Sequence, residues 1–176
     1  MDYFISDLHF HHKNIIGYCN RPFKNVLEMD EAMISNWNAK VGVSDNVFVI
    51  GDVALSLIGL DLACRLNGKK RLIIGNHDYP LLPEIKRRKI FETIAYSMVI
   101  VSGGQTITLS HFPMYTFIGD YLIYGHVHNN YSDKSFIDMI DLGNALNASA
   151  EINGYSPVTL DELIYNNKKV VDLYHK

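Results

Sequence analysis

Hydrophobic residues fall along this chain in short blocks, each closed by a glycine or a polar cluster. Tyr3-Phe4-Ile5, Val47-Phe48-Val49-Ile50, Arg71-Leu72-Ile73-Ile74 and Tyr121-Leu122-Ile123-Tyr124 are four of them. Their brevity and their β-branched and aromatic content predict buried strands. Met98 to Val101 and Thr106 to Leu109 flank Ser102-Gly103-Gly104-Gln105, which predicts a β-hairpin. Phe136 to Ile140 reads as another strand, and Lys169 to Tyr174 as a closing one.

Between these blocks the period changes. Val26, Met29, Met33, Trp37 and Val41 recur every three or four residues and form one apolar stripe of a helix. Asn25 is placed to cap it, with Glu28 three residues on and Gly42 to end it. Leu60 to Leu66 predicts a short helix stopped by Asn67-Gly68, and Leu81 to Lys89 a charged one. Thr159-Leu160-Asp161-Glu162 has capping-box spacing and starts a late helix reaching about Tyr165. Strands alternate with helices early and come as hairpins later, which predicts an α/β chain with mixed pairing. The stretch Gly143 to Gly154 is polar and rich in small residues but too short to be a linker, so one domain over residues 1–176 is expected.

Composition narrows this little. At 176 residues, 48% hydrophobic and 20% charged, the chain can bury a core of ordinary size. A net charge of -3 gives no general pull toward nucleic acid or anionic membrane. Lys86-Arg87-Arg88-Lys89 is a local basic run, read as a solvated helix face, with nucleic-acid contact as the alternative. Cys19 and Cys64 lack metal-type spacing and read as reduced thiols. No basic stretch leads an apolar one at Met1-Asp2-Tyr3, and no apolar run is long enough to span a bilayer. A soluble, cytoplasmic protein without membrane contact is expected.

The polar clusters change the picture. Asp7-Leu8-His9, Gly51-Asp52, Gly75-Asn76-His77-Asp78, His111-Phe112-Pro113 and Gly125-His126-Val127-His128 each follow an apolar block. In α/β sheets the carboxyl ends of strands are where sites form. In extended backbone, residues i and i+2 face the same side, so Asp7 with His9, and His126 with His128, can face one ion together. The donors Asp7, His9, Asp52, Asn76, His111, His126 and His128 are too many for one tetrahedral site with an open position. They suit two metals with a shared carboxylate. His77, left over and followed by Asp78, has the makings of a general acid. His12 and Arg21 are candidate substrate contacts beside structural readings of each.

The ordered set D-x-H, G-D, G-N-H-D, H and G-H-x-H, spanning Asp7 to His128, resembles the calcineurin-like metallophosphoesterase family. The segment from Asp7 to Ile16 also resembles its small bacterial and phage branch, where Gly is expected in place of His11; that departure touches no ligand but narrows the expected pocket. The resemblance implies a four-layer αββα sandwich with two mixed β-sheets. It implies that Asp7, His9, Asp52 and His128 hold one ion and Asp52, Asn76, His111 and His126 the other, with Asp52 bridging. His77 would protonate the leaving oxygen, steadied by Asp78, and Asn76 would also touch substrate. The cofactor is two divalent ions, Mn favoured over Fe, Zn, Ni or Co. The function implied is a phosphodiesterase acting on a small or nucleotide-like ester. The alternatives are a phosphomonoesterase or protein phosphatase, and a non-catalytic scaffold. The resemblance also leaves room for a dimer.

Overall fold

The computed structural model describes residues 1–175. It is an α/β structure of two four-stranded sheets and six α-helices among the described residues. The first sheet holds β1 (Asp2–Ile5), β2 (Asn46–Val49), β3 (Lys69–Ile73) and β4 (Thr93–Ala95), in that order. All three pairings are parallel, so this sheet is not the mixed one expected. The reason lies in its connections. Helices α1 (Ile15–Tyr18), α2 (Val26–Lys40), α3 (Leu57–Ala63) and α4 (Leu82–Arg88) return the chain to the starting edge each time.

The second sheet is mixed. It holds β5 (Ser97–Ser102), β6 (Gln105–Ser110), β7 (Tyr121–Tyr124) and β8 (Ala145–Asn147). β5 and β6 form the expected antiparallel hairpin, and β6–β7 and β7–β8 are parallel. Helices α5 (Lys134–Ile140) and α6 (Leu160–Tyr174) complete the chain.

Alternation along each strand explains the uninterrupted apolar blocks. Tyr3, Ile5, Val47, Val49 and Leu72 face a core shared with Met29, Met33 and Trp37 of α2. Their neighbours Phe4, Phe48, Ile50 and Ile73 face the other way and meet Ile107, Leu109, Ile123 and Leu146 of the second sheet. Leu122 and Tyr124 point outward again, against Phe136, Met139 and Ile140 of α5. Where both faces are covered, as along β1, β2 and β7, the apolar blocks run without polar alternation, whereas β6 alternates, with Ile107 and Leu109 in the core between Thr106, Thr108 and Ser110.

Two expected strands are helices instead. In a strand, Phe136, Asp138 and Ile140 would share a face and bring a carboxylate into the core. In α5, Phe136, Met139 and Ile140 share the buried face, worth about 1.5–3 kcal/mol per side chain. Asp138 is released to Lys134, one turn back at 2.6 Å, and Asp133 caps the helix through the Ser135 amide. Residues 169–174 likewise continue α6 past Tyr165. Leu160, Leu163 and Asn167 are buried on one face, Val170 and Val171 extend it, and the Thr159–Glu162 capping box forms as expected.

Candidate metal centre and active site

The carboxyl ends of six strands meet at one rim. Beyond the regular strands the pairing continues in the loops: the amides of Asp7 and His9 donate to Gly51 O and Asp52 O, both at 3.0 Å. The two sheets are joined there as well, because Ser6 donates to Ala148 O at 2.8 Å and accepts from the Ala150 amide at 3.1 Å. β1 and β8 therefore deliver their following residues side by side.

The residues that converge have unusual backbones. Asp7, His9, Asp52, His126 and His128 all have positive φ, between 50° and 73°. That conformation costs about 1–3 kcal/mol for a residue with a Cβ and persists only where surroundings enforce it. The expected extended i, i+2 arrangement is therefore incorrect, although Asp7 and His9 do reach the same centre. Left-handed turns aim them there. Gly51, at φ 83°, lies so close that an added Cβ would collide with the His111 ring.

At the centre, Asp52 Oδ2 lies 3.6 Å from Nε2 of both His9 and His111, and 3.9 Å from Nε2 of His77. Asp7 Oδ1 lies 3.7 Å from His128 Nε2. Asn76 Oδ1 lies 3.1 Å from His111 Nε2 and 3.0 Å from His126 Nδ1. Donor atoms of Asp7, His9 and His128 fall within 4.8 Å of one another, as do those of Asp7, Asp52 and His111. All seven residues named from the sequence as donors thus surround one centre.

The donor set fits divalent ions. His9 is buried, yet neither ring nitrogen has a hydrogen-bond partner, a costly state for an imidazole that a cation would relieve. Burial, reinforced by the charges of His128 and Arg21, holds its pKa well below the ordinary value, so its lone pair is free. Burial raises the pKa of Asp52, and the neighbouring Asp7 carboxylate adds to this against the pull of His111. His128 goes the other way: burial opposes its charge, but Asp7, Cys19 and Glu151 raise it to about 11.

No family model matches the chain. The uncharacterized protein MJ1445 of Methanocaldococcus jannaschii is 39% identical over 170 residues, covering 92% of this chain and 88% of its own length. The chain belongs to the family of MJ1445. The gene 66 protein of Mycobacterium phage L5 is 29% identical over 163 residues, covering 72% of this chain and 77% of its own. The crystal structure of the protein of unknown function AQ665 from Aquifex aeolicus superposes with a TM-score of 0.74 at 27% identity, over 98% of each chain.

The remaining expected residues divide. His77 is half exposed, opens onto a cavity of about 620 Å³, and donates its backbone amide to Asp52 Oδ1 at 2.9 Å. Asp78 does not steady it. The Asp78 carboxylate is buried and accepts the amides of Gly75 (2.8 Å), Asp52 (2.9 Å) and Val53 (2.9 Å). It fixes the turn that carries Asp52, and burial pushes its carboxyl up to about 6 against those donors. His12 lines the cavity, its ring 5.4 Å from that of His9. Arg21 does not line it. Its buried guanidinium donates to Asp7 O (2.7 Å), Leu8 O (2.9 Å) and Glu151 Oε1 (2.9 Å). His11 turns toward Asp30, Nδ1 to Oδ2 at 3.3 Å, and so does not narrow the cavity. The basic run is a helix face with its own acids: Arg87 pairs with Glu84 at 2.6 Å, and Arg88 with Asp61.

Ser6, Ser149 and Glu151 escaped the sequence reading. Both hydroxyls donate to Asp7 Oδ2, at 2.6 and 3.1 Å. Ser149 and Glu151 sit in the small, polar segment after β8, and no spacing there marks them. They reach the site because β8 pairs with β7 and the residues after it pair with Ser6.

Proposed function

We propose that this chain is a two-metal phosphoesterase of the calcineurin-like kind, and that its reaction is hydrolysis of a small or nucleotide-like phosphodiester. The observation that carries this reading is the buried Asp52 carboxylate. One oxygen lies between the imidazoles of His9 and His111, with Asp7 on one side and Asn76 on the other. Asp7, His9, Asp52 and His128 would hold one ion, and Asp52, Asn76, His111 and His126 the second. The three apolar cores, which lie between helices and sheet, sheet and sheet, and sheet and helices, support the four-layer arrangement of that family.

Two divalent ions held there would supply a water of low pKa and offset charge on the phosphoryl oxygens. The chain supplies the rest. His77 lines the cavity with its amide anchored on Asp52, placed to donate a proton to the departing alkoxide. Water attacks phosphorus, the bond to the ester oxygen breaks, and that oxygen leaves protonated. The cavity wall favours a diester. Among the described residues that line it there is no Lys or Arg, so a second phosphate charge would meet no lysine or arginine side chain.

The test is hydrolysis of bis-p-nitrophenyl phosphate beside p-nitrophenyl phosphate, first with metal stripped and then with Mn²⁺ restored. Mn-dependent cleavage of the diester with little of the monoester is expected. Cleavage of neither, with metal content confirmed, would overturn the reading and leave a binding scaffold.

A further inference from the structure

We propose that Glu151 is the positioning residue for His128, and that the buried Glu151–Arg21 pair sets the spacing of Asp7 and His128 as one half of the ligand cluster. This rests on the reading that those two residues hold a metal ion.

Asp7 and His128 come from different sheets and both have left-handed backbones, φ 57° and 50°. Neither conformation holds by itself, so something must brace each. A single guanidinium does so for the first. Arg21 bonds the carbonyls of Asp7 and of Leu8, and its charge is met by Glu151 at 2.7 Å. Glu151 then reaches across to the second, its Oε1 3.1 Å from His128 Nδ1. Asn147 holds the main chain of His128 from below, Nδ2 to O at 2.8 Å. Both partners are fully enclosed, Arg21 at 0% and Glu151 at 2% side-chain exposure, so water does not compete for these bonds.

The consequence is chemical as well as geometric. A carboxylate on Nδ1 holds a proton there and leaves Nε2 as the nitrogen that faces Asp7 and would meet the ion. An imidazole held in this way is a better-oriented and more basic ligand. The other half of the cluster does not depend on this pair. His111 is oriented by Ile50 O at 2.8 Å from Nδ1, and the side chains of Asn76 and His126 bond neither Arg21 nor Glu151. Loss of Glu151 should therefore affect one ion and spare the other.

The experiment is Co²⁺ titration of the metal-stripped full chain, wild type and Glu151→Gln, read by visible absorption, with circular dichroism to confirm the fold. Wild type should take up two equivalents. Glu151→Gln should bind one of them as tightly as wild type and the other about 10- to 100-fold more weakly, with altered bands for that one. Two equivalents bound as tightly, with unchanged bands, would overturn the proposal. No uptake by wild type would remove the metal reading itself, and this inference with it. A second measurement needs no substitution: ¹⁵N-imidazole spectra of the Zn²⁺-loaded wild type. They should show His128 protonated at Nδ1 and metal-bound at Nε2. Metal on Nδ1 would overturn the proposal even if Glu151→Gln failed to fold.

Discussion

Replacing Arg21 with methionine removes the charge but keeps most of the volume, and its cost follows from the contacts. Glu151 loses the 2.7 Å ion pair and keeps only His128. Breaking a buried pair by deleting one partner costs about 3–5 kcal/mol. The carbonyls of Asp7 and Leu8 also lose a charged donor each, adding on the order of 1–2 kcal/mol. The sum, about 5 kcal/mol, is a large part of the 5–15 kcal/mol that ordinarily separates folded from unfolded. For a chain of this length it lowers the thermal midpoint by about 10–20 °C. Urea and thermal denaturation of the metal-stripped protein, followed by circular dichroism, measure this directly. The double variant Arg21→Met/Glu151→Leu should recover at least about 2 kcal/mol, because it leaves no lone buried charge. If Arg21→Met were within about 1 kcal/mol of wild type while KM for a phosphodiester rose, Arg21 would be a substrate contact and the buried-brace assignment would be wrong.

Three further outcomes are expected. His77→Ala should bind metal as wild type does and lose about 10²- to 10⁴-fold in kcat; full activity would remove His77 from the role of general acid. Gly51→Ala places a Cβ against His111 at φ 83° and should cost about 3 kcal/mol or more through strain and overlap; a stability equal to wild type in urea would contradict the close approach. Burial works against the charge of Glu151, but the His128 hydrogen bond and the Arg21 charge hold its carboxyl down to about 2, against 4.5 in the unfolded chain. Because the native value is the lower one, this stabilisation, about 3 kcal/mol, is complete above pH 4.5 and fades as pH falls toward 2. Acid unfolding of the metal-free wild type should therefore be steeper over that window than that of the double variant, and parallel curves would refute the pairing.

Much of the candidate site was legible because its chemistry is local. Asp7, His9, Asp52, Asn76, His111, His126 and His128 each stand within a few residues of an apolar block. A strand followed by a polar cluster delivers its donors to a sheet end whatever the rest of the chain does. The cap of α2 at Asn25 and the box at Thr159–Glu162 were legible for the same reason, since their bonds span three residues.

What the tertiary structure alone decided is the fate of groups whose partners lie far away in sequence. Asp78 neighbours His77 along the chain, yet its oxygens are taken by amides 25 and 26 residues back as well as by Gly75. Arg21 could be read as a phosphate clamp or as a structural residue, and a glutamate 130 residues distant decided for the second by enclosing it. Residues 136–140 satisfy either period, and only the position of the core chose the helix that keeps Asp138 in water. Local order follows from backbone and side-chain preferences over a few residues. A buried charge is settled by whichever opposite charge or donor the packed sheets bring to it, and the spacing of residues along the chain carries no record of that choice.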